Sequence, residues 1–180
     1  MLERTMHDSV VELRLARAPV NALNMERVEA LLSQLNAEVK NGSQAIVITG
    51  NEGIFSAGLD VPELMAASRN SVTVFWDRFF KLSHTLLASP VPVVAGITGH
   101  APAGGAVLAI HCDYRVAAAG DFKLGLNEVQ VGLAVPEAIL QVLGFLVGSR
   151  QAARMATAGL MVSPEEALRL GLVDEVLPLA

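Results

Sequence analysis

The spacing of hydrophobic residues changes several times along the first half of the chain, and these changes predict alternating strands and helices. Residues 9–15 alternate between apolar and polar after their first positions, as a half-buried strand does. From Met25 to about Lys40 the apolar residues share one helical face, and Asn24 is well placed as the N-cap. Two short runs at residues 45–49 and 93–97 are apolar on both faces, which is typical of central strands covered by helices. This order predicts an α/β fold with a parallel, layered sheet.

The rest of the chain continues with further helix and strand patterns. Residues 70–87 have the periodicity of a long amphipathic helix, and a shorter helix is expected near residues 62–65. Ser163, Pro164 and Glu166 form a clear helix start, and Gly171 closes that short helix. The remaining predicted elements are helices at residues 103–110, 136–147 and 150–158, strands at residues 112–117 and 172–177, and a strand leading into a loop at residues 122–128.

Two turns built from small residues, at 57–60 and 103–105, each follow a predicted strand and precede a predicted helix. A helix start leaves backbone N–H groups without intrahelical partners, so a turn with few side chains lets a polarised carbonyl approach them. The alternative interpretation is that the glycines only let each helix pack tightly against its strand. Two convergent N–H donors are what an enolate oxygen requires, so the pair of turns is a candidate oxyanion site.

Glu128 is the candidate base for chemistry at such a site. It follows Leu126 and Asn127 and precedes Val129, so its carboxylate would lie among apolar neighbours. An apolar environment raises the pKa of a carboxyl group and improves it as a proton acceptor. The alternative is an ordinary loop carboxylate that faces water.

Composition limits the remaining possibilities. With 180 residues, 52% hydrophobic and 17% charged, the chain fits a single domain spanning residues 1–180. A net charge of −5 without a basic cluster argues against nucleic acid as a partner. The most apolar window, residues 91–110, is interrupted by prolines and glycines, which argues against a membrane span. The lone Cys112 excludes an internal disulfide, and the first residues lack the layout of a secretory signal, so we expect a cytoplasmic protein.

These segments, in this order, resemble the crotonase (enoyl-CoA hydratase/isomerase) family, and within it the mitochondrial type of Δ3,Δ2-enoyl-CoA isomerase. Residues 55–60 (FSAGLD) match the first oxyanion-hole motif, residues 102–105 (PAGG) the second, and residues 124–128 (LGLNE) the isomerase segment that carries the proton-moving glutamate. The resemblance implies a crotonase-type spiral of repeated ββα units. It implies that the catalytic groups are Glu128 and the N–H groups of Leu59 and Gly104. It also implies substrate contacts from Ala57, Gly58, Leu59, Asp60, Val61, Gly104 and Asn127.

One position favours isomerisation within this family. Hydratases carry a second catalytic glutamate three residues beyond the oxyanion glycine, and Val107 stands at that place here. A single base is enough to remove and return a proton, whereas hydration needs a group that activates water. The expected reaction therefore moves the double bond of a 3-enoyl-CoA to give trans-2-enoyl-CoA. The alternatives are a hydratase, another CoA-thioester enzyme of the same fold such as a hydrolase, and a noncatalytic acyl-CoA-binding or assembly subunit.

The resemblance carries further expectations about cofactors and partners. The substrate is an acyl-CoA thioester, coenzyme A being part of it, and neither a metal nor a redox cofactor is expected. The adjacent residues His111, Cys112 and Asp113 have ligand-type side chains, but three neighbours in sequence converge poorly on one ion, so we interpret them as structural. A homotrimer or a dimer of trimers is implied. Members usually continue into C-terminal helices after the segment that ends here near Leu177, so the domain is expected to lack that segment.

Overall fold

A computed structural model describes residues 2–179 of the chain. The helices predicted from sequence are present with small shifts in their ends, whereas the strands predicted within residues 122–128 and 172–177 are only two and three residues long. The strands are β1 (Leu2–His7), β2 (Val10–Leu15), β3 (Ala45–Thr49), β4 (Gly53–Ile54), β5 (Val93–Ile97), β6 (Gly99–Pro102), β7 (Tyr114–Ala118), β8 (Leu124–Gly125) and β9 (Glu175–Leu177). The helices are α1 (Met25–Lys40), α2 (Val61–Ala66), α3 (Arg69–Leu87), α4 (Gly104–Ile110), α5 (Glu137–Val147), α6 (Ser149–Ala158) and α7 (Pro164–Leu170).

The larger sheet confirms the predicted parallel arrangement. Its strand order is β1-β2-β3-β5-β7-β9, and every neighbouring pair is parallel except the antiparallel pair β1 and β2. The central strands β3 and β5 place Ile46, Ile48, Val93 and Ala95 in the core with 0% exposure. Strand β1 was not predicted, because it lies at the sheet edge and its sequence LERTMH lacks an apolar alternation.

A second, smaller sheet runs β4-β6-β8, and it shows why the fold is a spiral of repeated units. The consecutive pairs β3/β4, β5/β6 and β7/β8 each give one strand to the larger sheet and one to the smaller sheet. This arrangement confirms the crotonase-type repetition. Residues 99–102 lie just before the predicted turn at 103–105 and form strand β6, which the sequence pattern does not predict. Its first residue, Gly99, pairs with Gly53 so closely that a Cβ on Gly99 would lie 2.0 Å from the Gly53 carbonyl carbon.

Side-chain caps start α1 and α7 at the positions that the sequence indicates. The Asn24 side chain accepts a hydrogen bond from the Arg27 N–H at 3.1 Å and starts α1. Ser163 caps α7 in the same way, and Gly171 ends that helix in the left-handed conformation. Helices α1 and α3 pack on each other, and α3 buries Phe75 and Phe79 against the core.

Within residues 2–179 no helix is both long enough and apolar enough to cross a membrane.

Candidate active site

The two glycine-containing turns lie side by side, because the short strands that lead into them pair in parallel. Strand β4 precedes the turn at residues 57–60, and its partner β6 precedes the turn at Ala103. A Cβ on Gly58 would lie 2.8 Å from the Gly104 nitrogen, and a Cβ on Gly104 would lie 3.1 Å from the Leu59 nitrogen. Such close backbone approach is possible only where side chains are absent on both turns. The structure therefore brings the two predicted donors, Leu59 and Gly104, together.

Within the described residues 2–179, the N–H groups of Leu59 and Gly104 donate no hydrogen bond. The other N–H groups of the first turn are all engaged: Ala57 donates to the Val20 carbonyl at 2.9 Å, Gly58 to Ser56 Oγ at 3.2 Å, and Asp60 to the Leu23 carbonyl at 3.0 Å. Backbone N–H groups in folded proteins almost always have a partner, so two adjacent donors without one in the described chain form a candidate site for an acceptor oxygen.

The second turn holds a strained residue. Ala103 has φ 45° and ψ −118°, a left-handed backbone conformation that costs a non-glycine residue about 1–3 kcal/mol. Two hydrogen bonds keep it there: its N–H donates to the Gly125 carbonyl at 2.8 Å, and its carbonyl accepts from Val107 N–H at 2.9 Å. The strained turn aims the next N–H, that of Gly104, out of the helix start.

The two turns open onto a cavity of about 420 Å³. This volume lies within the range of about 300–1,000 Å³ that is usual for small-molecule sites. The cavity is lined mainly by apolar groups from the two turns, from α3 and from the segment after β8. The lining residues are Ala57, Leu59, Val61, Trp76, Phe80, Pro102, Ala103, Asn127, Glu128, Val131, Leu133, Ala134 and Pro136.

Glu128 lines this cavity at the start of a 3-10 turn, Glu128–Val131. Its Oε2 is buried and has no hydrogen-bond partner among residues 2–179. Burial raises the pKa of the Glu128 carboxyl, and a hydrogen bond from its own backbone N–H offsets only part of that effect. The charged carboxylate is thus poorly solvated and has an increased affinity for a proton, as a general base requires.

The other predicted substrate contacts divide into two groups. Ala57, Val61 and Asn127 line the cavity, and Asn127 Oδ1 is buried without a partner in the described part of the chain. Gly58 is buried and contributes close packing between the turns rather than cavity surface.

Asp60 acts mainly as a brace for the first turn. Its carboxylate caps α2 by accepting the Glu63 N–H at 3.2 Å and pairs with Arg17 at 2.7 Å. The hydrogen bond from Arg17 lowers the pKa of Asp60. Asp60 also borders a second groove of about 280 Å³ that shares Ala57 and Leu59 with the larger cavity.

Sequence reasoning missed several cavity residues. Trp76 and, one turn further along α3, Phe80 form part of the cavity wall, and the helical periodicity of α3 did not single out Phe80. The loop residues Val131 and Leu133 are 62% and 41% exposed, and both border the cavity. An apolar stretch without helical or strand periodicity, as at residues 129–134, is the feature that would have indicated them.

Two residues bear on hydration: Val107, and Glu137, which is the next carboxylate along the chain after Glu128. Neither lines the cavity. Val107, at the place of a hydratase glutamate, is 1% exposed in the core. Glu137 is exposed at the start of α5, where its carboxylate accepts a hydrogen bond from Gln141 at 3.2 Å. Neither residue supplies a second carboxylate to the cavity wall.

The three ligand-type residues after α4 are engaged separately. His111 is buried with Nδ1 2.7 Å from the Val107 carbonyl oxygen, Cys112 is buried, and Asp113 accepts the Val93 N–H at 2.8 Å. Within residues 2–179 no group of three or more His, Cys, Asp or Glu side chains is arranged to hold a metal ion.

Comparison with known proteins identifies relatives of this arrangement. A family model described as enoyl-CoA hydratase/isomerase matches residues 5–180. Human mitochondrial enoyl-CoA delta isomerase 1 is 34% identical over 172 residues, which cover 94% of this chain and 57% of that protein. A probable enoyl-CoA hydratase of Bacillus subtilis is 36% identical over 167 residues, covering 92% of this chain and 64% of that protein.

A solved structure agrees with this result. The crystal structure of human mitochondrial delta3-delta2-enoyl-CoA isomerase matches with a TM-score of 0.94 and 33% identity, covering 98% of this chain and 70% of that one. The chain spans 57% and 64% of the lengths of the two curated relatives named above. The chain therefore belongs to the enoyl-CoA hydratase/isomerase family.

Proposed function

From this family membership we propose that the chain is a Δ3,Δ2-enoyl-CoA isomerase, which converts a 3-enoyl-CoA into the trans-2-enoyl-CoA. The observation that carries the proposal is that, within residues 2–179, the cavity beside the free N–H groups of Leu59 and Gly104 is lined by one carboxylate, Glu128. One base and two oxyanion donors are the minimum set for a 1,3-proton shift through a dienolate.

The proposed steps move one proton and leave the composition of the substrate unchanged. The thioester carbonyl oxygen accepts hydrogen bonds from Leu59 N–H and Gly104 N–H, which makes the protons on C2 more acidic. Glu128 removes a C2 proton, and the electron pair of that C–H bond spreads over the thioester and the 3,4-double bond as a dienolate. Glu128 then returns the proton to C4, and the double bond lies between C2 and C3.

The raised pKa of Glu128 suits the first half of this exchange, the removal of the C2 proton. Burial without a hydrogen-bond partner destabilises the carboxylate and therefore favours uptake of the C2 proton. No water or second residue is required to hold the proton in between, and no electrons enter or leave the substrate. The proposed reaction therefore requires neither a metal nor a redox cofactor.

The placement of the substrate follows from the two adjoining spaces. We assign the acyl chain to the larger cavity, where Trp76 and Phe80 offer apolar surface, and the CoA portion to the groove that borders Arg17. The two spaces share Ala57 and Leu59, so the thioester group would lie at their junction beside the oxyanion donors. Assembly as a homotrimer and a cytoplasmic location stay predictions.

The second candidate is an enoyl-CoA hydratase, which the relative from Bacillus subtilis favours by its name. Hydration needs a group that activates water, and the position expected for that carboxylate holds the buried Val107. The product of the proposed reaction therefore remains unsaturated.

One experiment separates the candidates. The purified protein is mixed with trans-3-hexenoyl-CoA, and formation of the conjugated thioester is followed by ultraviolet absorbance while mass spectrometry monitors 3-hydroxyhexanoyl-CoA. The isomerase forms the conjugated product, and a parallel incubation with trans-2-hexenoyl-CoA forms no hydroxyacyl product. Hydration as fast as isomerisation would establish the hydratase, and binding without a conjugated product would establish a noncatalytic acyl-CoA-binding protein.

A further inference from the structure

We propose that Asn21 and Ser56 are positioning residues that aim the Leu59 N–H at the substrate oxygen. This inference rests on the proposed function, because it concerns the same oxyanion site. Neither side chain lines the larger cavity, and both are almost completely buried, Asn21 at 2% and Ser56 at 0% exposure. Their effect on a ligand must therefore pass through the backbone between them and Leu59.

Asn21 ties its own loop to the end of strand β4. Its Oδ1 accepts the Arg17 N–H at 2.8 Å, while its Nδ2 donates to the carbonyls of Phe55 at 3.1 Å and Ile54 at 3.3 Å. Asn21 also has φ 53°, a left-handed conformation that asparagine tolerates better than most residues. The loop at residues 20–23 is thus held at a fixed position against the first turn.

Ser56 connects that loop to the turn itself. Its hydroxyl donates to the Asn21 carbonyl at 2.8 Å and accepts the Gly58 N–H at 3.2 Å. The hydroxyl therefore donates one hydrogen bond to the loop at residues 20–23 and accepts one from the first turn. Removing the hydroxyl would leave the buried Gly58 N–H without a partner.

The direction of the Leu59 N–H follows from the peptide unit that carries it. This unit contains the Gly58 carbonyl, which accepts the Leu23 N–H at 2.8 Å. In a trans peptide the C=O and N–H bonds point in opposite directions. Because the carbonyl is directed at Leu23, the N–H is directed away from the loop, and Gly104 lies beside the same peptide unit, since a Cβ on Gly104 would be 3.1 Å from the Leu59 nitrogen. Asn21 fixes the loop and Ser56 fixes the preceding N–H, so together they set the rotation of this peptide unit.

The test compares Ser56→Ala with a matched control, Ser43→Ala. Ser43 is also buried, at 6% exposure, its hydroxyl donates to Glu38 at 3.1 Å, and neither residue lines the cavity. We expect Ser56→Ala to lower kcat by about 10- to 100-fold with KM changed by less than about threefold, since misplacement of a catalytic group acts on the reaction step. Ser43→Ala should lose comparable thermal stability and keep its kcat.

A spectroscopic readout makes the test independent of turnover. Hexanoyl-CoA labelled with ¹³C at the thioester carbonyl is bound to each protein, and the carbonyl stretch is measured by infrared difference spectroscopy. Wild type and Ser43→Ala should show the same shift to lower wavenumber, and Ser56→Ala should show a smaller shift. If Ser56→Ala does not fold, Asn21→Gly carries the test, because glycine keeps the positive φ and loses the side-chain hydrogen bonds.

Each outcome has a defined meaning. Equal kcat and an equal carbonyl shift in Ser56→Ala and Ser43→Ala would overturn the positioning role, as would the absence of a shift in wild type. A wild-type shift without isomerisation would refute the proposed function alone, and the shifts of the variants would still decide the roles of Ser56 and Asn21.

Discussion

Gly104→Ala is the smallest change that tests the proposed oxyanion site, and its effect follows from the local geometry. The added Cβ would lie 3.1 Å from three atoms: the Leu59 nitrogen, the Gly58 Cα and the Leu59 Cδ2. Ordinary contacts of this kind begin at 3.4 Å, so the two turns would have to separate by a few tenths of an ångström. Two of the three atoms belong to the backbone and have no alternative rotamer.

The methyl group also competes for the space that the substrate oxygen needs. A hydrogen-bonded oxygen lies about 2.7–3.1 Å from its donor nitrogen, and the Cβ would stand at that distance from the Leu59 nitrogen. We therefore expect the loss of about one donor, which lowers kcat by roughly 100- to 1,000-fold, or about 2.7–4 kcal/mol of transition-state stabilisation. Crowding should cost about 1–3 kcal/mol of folding stability, which a folded domain of this size tolerates. Gly104→Val, with its branched side chain, should abolish turnover.

The assay measures kcat and KM with trans-3-hexenoyl-CoA and thermal unfolding on the same preparations. Gly144→Ala is the matched control, because its Cβ meets nothing closer than 3.8 Å and it lies inside α5. Replacing a helical glycine by alanine should stabilise the protein by about 1 kcal/mol and leave kcat unchanged. A folded Gly104→Ala protein with kcat within threefold of wild type would show that this turn is only a packing device.

Three further predictions concern the cavity and the core. Glu128→Gln should lower turnover at least about 100-fold while hexanoyl-CoA still binds. Because burial raises the folded-state pKa of Glu128, the free energy of unfolding of the wild type should fall as the pH rises from the unfolded-state pKa through the folded-state pKa. Urea titrations from pH 4 to 8 should show that the variant lacks the part of this fall that Glu128 causes. Trp76→Ala should enlarge the cavity and raise kcat/KM for 3-decenoyl-CoA relative to that for 3-hexenoyl-CoA by about tenfold. The control Phe79→Ala removes a core side chain with 1% exposure. It should cost about 3–5 kcal/mol of folding stability and leave the ratio of the two kcat/KM values unchanged. Burial raises the pKa of the Cys112 thiol to about 12, so iodoacetamide at pH 8 should label the protein in urea and not in its folded state; labelling of the folded protein would contradict the buried placement.

The starts of helices α1 and α7 could be predicted from sequence, because they depend on residues that are close together along the chain. Helix α1 starts at the predicted cap Asn24 and α7 at Ser163, because each cap acts within three residues along the chain. Strand β6 was missed because it exists only by pairing with β4 and β8, which are distant in sequence. The pairing depends on glycine at position 99, and nothing in the residues around it indicates which backbone it approaches.

In the candidate site, too, features set by nearby residues could be predicted and features set by distant segments could not. The sequence motifs indicate Leu59 and Gly104 individually, but only the parallel pairing of β4 and β6 shows that the two N–H groups are neighbours. The helical pattern in α3 identified the buried face that includes Phe79, whereas Trp76 and Phe80 lie off that face and meet the cavity through tertiary packing. Cavity walls of this kind are not encoded by one element's periodicity, because they depend on which other elements lie opposite.

Two glutamates in this chain show how burial is used for stability in one place and for chemistry in another. Glu38 is 0% exposed, and its carboxylate accepts hydrogen bonds from Arg4, Gln34 and Ser43, with the hydrogen bond from Arg4 lowering its pKa. Glu128 is partly buried with an unpartnered oxygen, and burial raises its pKa. A folded protein gains nothing in stability from the second arrangement. The same cavity wall carries the strained Ala103 and lies beside two N–H groups that have no partner within residues 2–179. These unfavourable features lie together at one cavity. A ligand offsets them when it supplies an acceptor oxygen for the two N–H groups and a proton for the carboxylate. A 3-enoyl thioester offers both.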